Sequence, residues 1–247
     1  MKPSKKRPII IAHRGMASVA PENTMASYRA ALGSRADYIE CDVRLCADDT
    51  IVMMHDPSVD RTTNGDAYLR EETYDAVRNL DAGSWYAPEF SNEYVPTLRE
   101  VFRLVKGKKR LVLDVKDADM TYHLMSLLEE EGAEKGDVVV FSFEWQVIEE
   151  SLVAQPDWDV VFLDDELSEE ATVRADEIER VLRIGCTGIG VSVQRIDQEF
   201  VTMAQDAGLA VYCYTANHPN HIQKLNALGV DAIISDRPNG VLEILEK

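Results

Sequence analysis

The chain has 247 residues, 45% of them hydrophobic and 28% charged, a balance that builds a sizeable packed core and excludes fibrous and disordered classes. Its 26 Lys and Arg against 44 Asp and Glu leave a net charge of −18, which repels phosphate backbones and anionic membranes and makes both poor partners. An anionic substrate therefore requires a local basic pocket. No apolar run approaches the ~18 residues of a membrane span, and Ile9-Ile10-Ile11-Ala12 is too short for a secretory core. Cys41, Cys46, Cys186 and Cys213 form no CxxC pair and are too scattered for a disulfide framework, so a reducing, cytoplasmic compartment is expected.

In chain order, β-rich runs at 9–12, 38–45, 110–115, 138–143, 159–163, 188–193, 210–214 and 231–235 predict eight strands. Helical patterns follow them at about 24–33, 97–106, 121–132, 144–154, 172–184, 197–207, 218–228 and 239–246, with N-cap chemistry at Asn23, Thr97, Asp197 and Asn217. Eight βα units without a linker predict one domain over 1–247, a (β/α)8 TIM barrel with a small insertion after the second strand. That insertion begins behind a strand-like run at 51–54. Residues 57–96 carry turn signals at Asp56-Pro57 and Asn64-Gly65 and the aromatics Trp85 and Tyr86, which predicts a small subdomain over the C-terminal face. Gly185-x-x-Gly188-x-Gly190 reads as a helix-ending turn, since it precedes a strand where a dinucleotide fingerprint follows one.

Polar residues interrupt the apolar pattern at the downstream ends of the strands, where a barrel gathers its active site. They are His13-Arg14, Glu40-x-Asp42, His55-Asp56, Asp114-x-Lys116 and Ser142. Residues two apart in a strand share a face, so Glu40 joins Asp42 and Asp114 joins Lys116. Three carboxylates, Glu40, Asp42 and Asp114, offer oxygen-only ligation suited to Mg²⁺ or Ca²⁺. The bland reading of Glu40-x-Asp42 alone is a solvent-facing strand edge. His13 and His55 are candidates for a general acid and base near neutrality, and Arg14 and Lys116 for anion binding; the alternative for the two cations is ordinary salt bridges to Asp42 and Asp114. Together these parts suit hydrolysis of a phosphate ester.

The residues resemble the glycerophosphodiester phosphodiesterases, a family of metal-dependent (β/α)8 barrels. The resemblance runs through His13-Arg14-Gly15, Pro21-Glu22-Asn23-Thr24, Glu40-Cys41-Asp42-Val43, and His55-Asp56-Pro57 leading to Asp60-Arg61-Thr62-Thr63-Asn64-Gly65. It continues through Leu80 to Trp85, Val95-Pro96-Thr97-Leu98, Tyr214-Thr215-Ala216-Asn217, and Gly229-Val230-Asp231 with Ser235-Asp236-Arg237-Pro238. It implies that Glu40, Asp42 and Asp114 hold a divalent cation, that His13 and His55 are the acid/base pair, and that Arg14 and Lys116 hold the phosphate. Glu22 matches a further active-site acid of the family. The implied reaction cleaves a glycerophosphodiester to glycerol 3-phosphate and an alcohol, which belongs to lipid and glycerol metabolism. Two positions depart from the family pattern: Asp114 stands where Glu is common, and Tyr214 where Trp is frequent. The alternatives are a lysophospholipase D-type hydrolase, which needs an apolar groove near Trp85, Tyr86 and Phe90, a different barrel enzyme such as a metal-dependent sugar isomerase, and a non-catalytic metal- or ligand-binding barrel. The expected partner is a small-molecule diester, with a homo-oligomer left open.

Overall fold

Residues 7–246 are described in a computed structural model. Its elements run β1 (Ile9–Ala12), α1 (Met25–Gly33), β2 (Tyr38–Leu45), β3 (Ile51–Met53), α2 (Tyr74–Val77), α3 (Leu98–Val105), β4 (Arg110–Val115), α4 (Thr121–Glu130) and β5 (Val138–Ser142). They continue with α5 (Trp145–Ala154), β6 (Asp159–Asp164), α6 (Ala171–Ile184), β7 (Gly188–Ser192), α7 (Gln198–Asp206), β8 (Ala210–Tyr214), α8 (Pro219–Leu228), β9 (Ala232–Ser235) and α9 (Pro238–Leu245). The strands pair in parallel in the order β1-β2-β4-β5-β6-β7-β8-β9, and β9 pairs back to β1. This closes a (β/α)8 TIM barrel. β3 lies outside it, antiparallel to β2 with Val43 opposite Met53.

Alternation along each strand produces two cores from one set of apolar runs. Residues on one face, including Ile11, Val112, Phe141, Leu163, Tyr212 and Ile234, meet inside the barrel. Their neighbours on the other face, such as Ile10, Ile39, Cys41, Val43, Leu111 and Leu113, pack beneath the surrounding helices. Continuing the inward face of each strand upward leads to the polar positions: Ile11 to His13, Tyr38 to Glu40 and Asp42, Val112 to Asp114 and Lys116. The site is therefore the top layer of the barrel interior.

Three local readings change on the structure. α1 is capped by Thr24 and α8 by His218, one residue beyond the expected Asn23 and Asn217, whose side chains are taken up elsewhere. Thr97 and Asp197 do cap α3 and α7. Gly185 ends α6 in a left-handed turn at φ 107, but Gly188 and Gly190 belong to β7 and face the barrel interior. A Cβ at Gly188 would stand 2.7 Å from the Ala210 carbonyl oxygen and 2.8 Å from the Tyr212 ring, so the bulky inward residues of β8 require glycine beside them.

The segment from β3 to α3 folds around a small apolar cluster in which Met54, Val59, Leu69, Val77, Ala82 and Val95 pack with Cys46 and Val52 of the β2–β3 hairpin. It touches the first turn of α1, where the Glu93 carboxylate accepts from Ala26 N at 3.0 Å. Trp85, Tyr86 and Phe90 pack edge-to-face on one another, with centroids 5.8 and 5.6 Å apart. Among the described residues, no helix is long and apolar enough to cross a membrane.

The two levels of structure carry different weights. Thr97 accepts from Glu100 N at 3.2 Å while the Glu100 carboxylate accepts from Thr97 N at 2.9 Å. Thr97→Ala should therefore cost about 1 kcal/mol in urea unfolding. Phe141 is buried and stands edge-to-face on Tyr212 at 5.1 Å, so Phe141→Ala should cost roughly 3–5 kcal/mol. Similar midpoints for the two variants would contradict this ranking.

Candidate active site

The loop after β1 is built to aim its backbone at a carboxylate. Arg14 adopts φ 51 and Asn23 φ 57, left-handed conformations that cost energy for residues with a side chain, more so for Arg than for Asn. Four hydrogen bonds fix the turn. Arg14 N donates to Glu40 Oε2 at 2.6 Å, Gly15 N to Glu40 O at 3.0 Å, and Asn23 N and Ser27 Oγ both donate to Arg14 O at 3.0 Å. A Cβ at Gly15 would fall 2.7 Å from the backbone carbon of Ser27, which explains glycine after His13-Arg14.

β2 and β4 pair with Asp42 beside Asp114, and Glu40 lies two residues down the same face of β2. Each of the three offers an oxygen, all within 4.8 Å of one another, and all three side chains are buried. Asn23 is a clamp on this cluster: its Nδ2 donates to Asp42 Oδ2 at 2.8 Å, and its Oδ1 accepts from Tyr28 OH at 2.7 Å. Arg14 Nε lies 3.0 Å from Asp42 Oδ2, near in distance though its N–H is not aimed at that oxygen. Lys116 Nζ lies 3.1 Å from Asp42 Oδ1, donates to Asp114, and stands 5.5 Å over the Phe143 ring. The ion pairs anticipated for the two cations are thus present, inside the cavity rather than at a solvent edge.

Charge in this cluster is unevenly met. Asp42 is held well below the ordinary carboxylate range: burial opposes ionisation, but Lys116, Arg14 and the two histidines outweigh it. Glu40 is pushed up to about 7 by burial and by the charges of Asp42 and Asp114, which His13 and Arg14 only partly offset. Burial and Asp42 also raise Asp114 against the pull of Lys116. Asp114 Oδ1 is buried without a hydrogen-bond partner. An excess of buried negative charge, an orphaned carboxylate oxygen and an oxygen-only donor set fit a hard divalent cation.

His13 and His55 stand on the same cavity, each tied through Nδ1 to its own carboxylate, Asp236 and Asp56, at 2.6 Å. That bond fixes each ring and leaves Nε2 for chemistry. The two are electrostatically unlike. Burial lowers His13, but the Asp236 hydrogen bond and the Glu40 charge more than reverse it, so its pKa lies above the ordinary value. Burial also lowers His55, and the help of Asp42 and Asp56 does not overcome it against Arg14 and Lys116.

A cavity of about 180 Å³ gathers His13, Arg14, Glu40, Asp42, His55, Asp114 and Lys116, walled by Phe141, Phe143, Leu163, Tyr214 and Ile234. Seven of the eight residues singled out in the sequence meet there. The eighth, Glu22, lies behind the wall and accepts from Arg14 Nη1 at 2.8 Å. Ser142 serves structure, donating to Val115 O at 2.8 Å. Sequence reasoning left Asp56 and Asp236 without roles and took Asn217 for a helix cap. Asn217 donates to Asp236, and its Oδ1 accepts from Ser235 Oγ and Asp236 N at 2.9 Å, so it orients the carboxylate that orients His13. Their signals were position beside strand ends and membership of the family-like motifs, neither of which gives a partner; His13 and Asp236 are 223 residues apart.

Comparison with known proteins finds relatives along nearly the whole chain. The glycerophosphodiester phosphodiesterase of Caldanaerobacter subterraneus subsp. tengcongensis is 31% identical over 97% of this chain and 98% of its own. A glycerophosphodiester phosphodiesterase of Bacillus subtilis is 28% identical over 96% of this chain and 86% of its own. Among solved structures, an Oleispira antarctica phosphodiesterase in complex with the product sn-glycerol-3-phosphate superposes with a TM-score of 0.89 at 26% identity, covering 97% of both chains. Residues 13–240 match the model of the glycerophosphoryl diester phosphodiesterase family, and the chain belongs to that family.

Proposed function

We propose that the protein hydrolyses small glycerophosphodiesters to glycerol 3-phosphate and an alcohol, using His13 and His55 as its acid/base pair. The observation that carries this reading is the placement of two carboxylate-tethered imidazoles on one cavity with three clustered carboxylates and two cations. Arg14 and Lys116 would bind the phosphate oxygens, Arg through its fork and Lys as a point charge. His55, held neutral, would take a proton from the attacking water as its oxygen bonds to phosphorus. His13, held protonated, would give one to the leaving alcohol oxygen as its P–O bond breaks. With water as attacker the balance is one diester and one water to one monoester and one alcohol. Glu40, Asp42 and Asp114 would hold Mg²⁺ or Ca²⁺, which when bound neutralises charge growing on the phosphoryl oxygens.

The cavity volume of about 180 Å³ lies below the ~300–1,000 Å³ of sites that enclose drug-sized ligands, which favours a glycerol phosphate unit with its alcohol directed outward. Trp85, Tyr86 and Phe90 pack on each other rather than along this cavity, so water-soluble diesters are preferred over lysolipids. We read residues 57–96 as an inserted subdomain of a single-domain barrel, on the strength of the segment's separate cluster. Four buried, unpaired cysteines support a cytoplasmic setting.

Turnover of glycerophosphocholine or glycerophosphoethanolamine, followed as glycerol 3-phosphate released, tests the reading. Chelation should abolish it and added Mg²⁺ or Ca²⁺ should restore it; activity indifferent to chelation would sink the metal assignment. His13→Ala and His55→Ala should each lower kcat by about 10²–10⁴. The pH profile of kcat/KM should rise as His55 loses its proton, below the ordinary histidine value, and fall as His13 loses its proton, above it. His55→Ala should remove the acid limb and His13→Ala the alkaline limb. A reversed pattern would exchange the roles.

A further inference from the structure

We infer that Arg61 is a positioning residue for this reaction, a single guanidinium that holds the phosphate-binding arm and the histidine arm of the site in register. The inference rests on the hydrolase reading above. Arg61 does not line the cavity and comes from the segment between β3 and α3. Its Nη1 donates to Glu22 Oε2 at 3.0 Å and its Nη2 to Glu22 Oε1 at 2.7 Å, while its Nε donates to Asp56 Oδ2. Each partner passes the contact inward. Glu22 Oε1 also accepts from Arg14 Nη1, and Arg14 reaches Asp42; Asp56 Oδ1 is bonded to His55 Nδ1. The resulting chain, Asp42 to Arg14 to Glu22 to Arg61 to Asp56 to His55, begins and ends in the cavity and runs outside it through Glu22, Arg61 and Asp56.

The chemistry of the link requires its middle member. Glu22 is held ionised against its burial by Arg61 and Arg14 together. Without Arg61, its carboxylate would be balanced by Arg14 alone and would draw that guanidinium away from the phosphate position. Asp56 would lose the donor on its second oxygen and become free to rotate, and His55 with it. The fork engages two carboxylates along two edges, which one ammonium cannot reproduce. Its side chain is 43% exposed, and the segment has its own apolar cluster around Val59, Leu69 and Val77, so the fold does not depend on this residue.

Steady-state kinetics on glycerophosphocholine with wild type, Arg61→Ala, Arg61→Lys and the double variants with Asp56→Ala and Glu22→Ala tests the inference. Arg61→Ala should lose about 10- to 100-fold in kcat/KM, and Arg61→Lys should recover little of it. The kcat loss should vanish in the Asp56→Ala background and the KM rise in the Glu22→Ala background, a split that general loosening of the fold would not produce. Rates of Arg61→Ala within about twofold of wild type, or full additivity in both backgrounds, would overturn the inference. Should Arg61→Ala fail to fold, Arg61→Lys decides: wild-type kcat and KM overturn it, and a tenfold loss with an unchanged unfolding midpoint upholds it. A wild-type enzyme inert on diesters would instead remove the hydrolase reading itself.

Discussion

Three carboxylates crowded into one buried patch at the mouth of the barrel constrain everything around them. Glu40, Asp42 and Asp114 lie within 4.8 Å of one another on two paired strands, where burial penalises each charge and every charge penalises the others. The molecule brings cations to them from two strand ends, Arg14 after β1 and Lys116 after β4, and sets the rings of His13 and His55 on the same cavity. The compensation is incomplete at Glu40 and at the free oxygen of Asp114. A stable protein retains such a deficit where a ligand of opposite charge completes the set.

Meeting that demand shapes the first loop. The Arg14 amide must face Glu40 while the Arg14 side chain turns toward Asp42, and a residue following an extended strand does both only by adopting a left-handed backbone. Gly15 and Ser27 then pack where no Cβ fits, and Asn23, also left-handed, closes the loop against Asp42. Local strain, a glycine and an asparagine clamp follow from one electrostatic requirement.

The barrel was legible because its strands are buried on both faces and read as apolar runs, while two-residue periodicity places Glu40 with Asp42 and Asp114 with Lys116 on the inward side. The candidate site was legible because charged residues at the end of such runs have no structural reason to face inward. What stayed hidden depends on partners distant in sequence. Asn23 and Asn217 have the composition of helix caps and stand beside helices, yet neighbouring Thr24 and His218 serve as caps while Asp42 and Asp236 capture the asparagine side chains. Gly188 and Gly190 look like a turn because glycine commonly ends helices; only the bulk of Tyr212 and Leu163 on adjoining strands gives them another purpose. Arg61 carries no periodicity at all, and its meaning lies in two carboxylates contributed by different loops.

The same uneven charge distribution explains why two similarly tethered histidines differ. Both donate through Nδ1 to a carboxylate oxygen at the same distance, so the length of the tether does not distinguish them. His13 is held by Asp236 and also stands against Glu40, the least compensated carboxylate, and both favour its imidazolium over the cost of burial. His55 stands against Asp42, whose charge Lys116 and Arg14 already neutralise, and the same two cations repel a proton on its ring. One ring thereby holds its proton more tightly than an ordinary histidine and the other less tightly. The difference between the rings thus comes from the order of charges around the barrel mouth together with the stronger support that Asp236 gives His13, and the proposed division of labour rests on it.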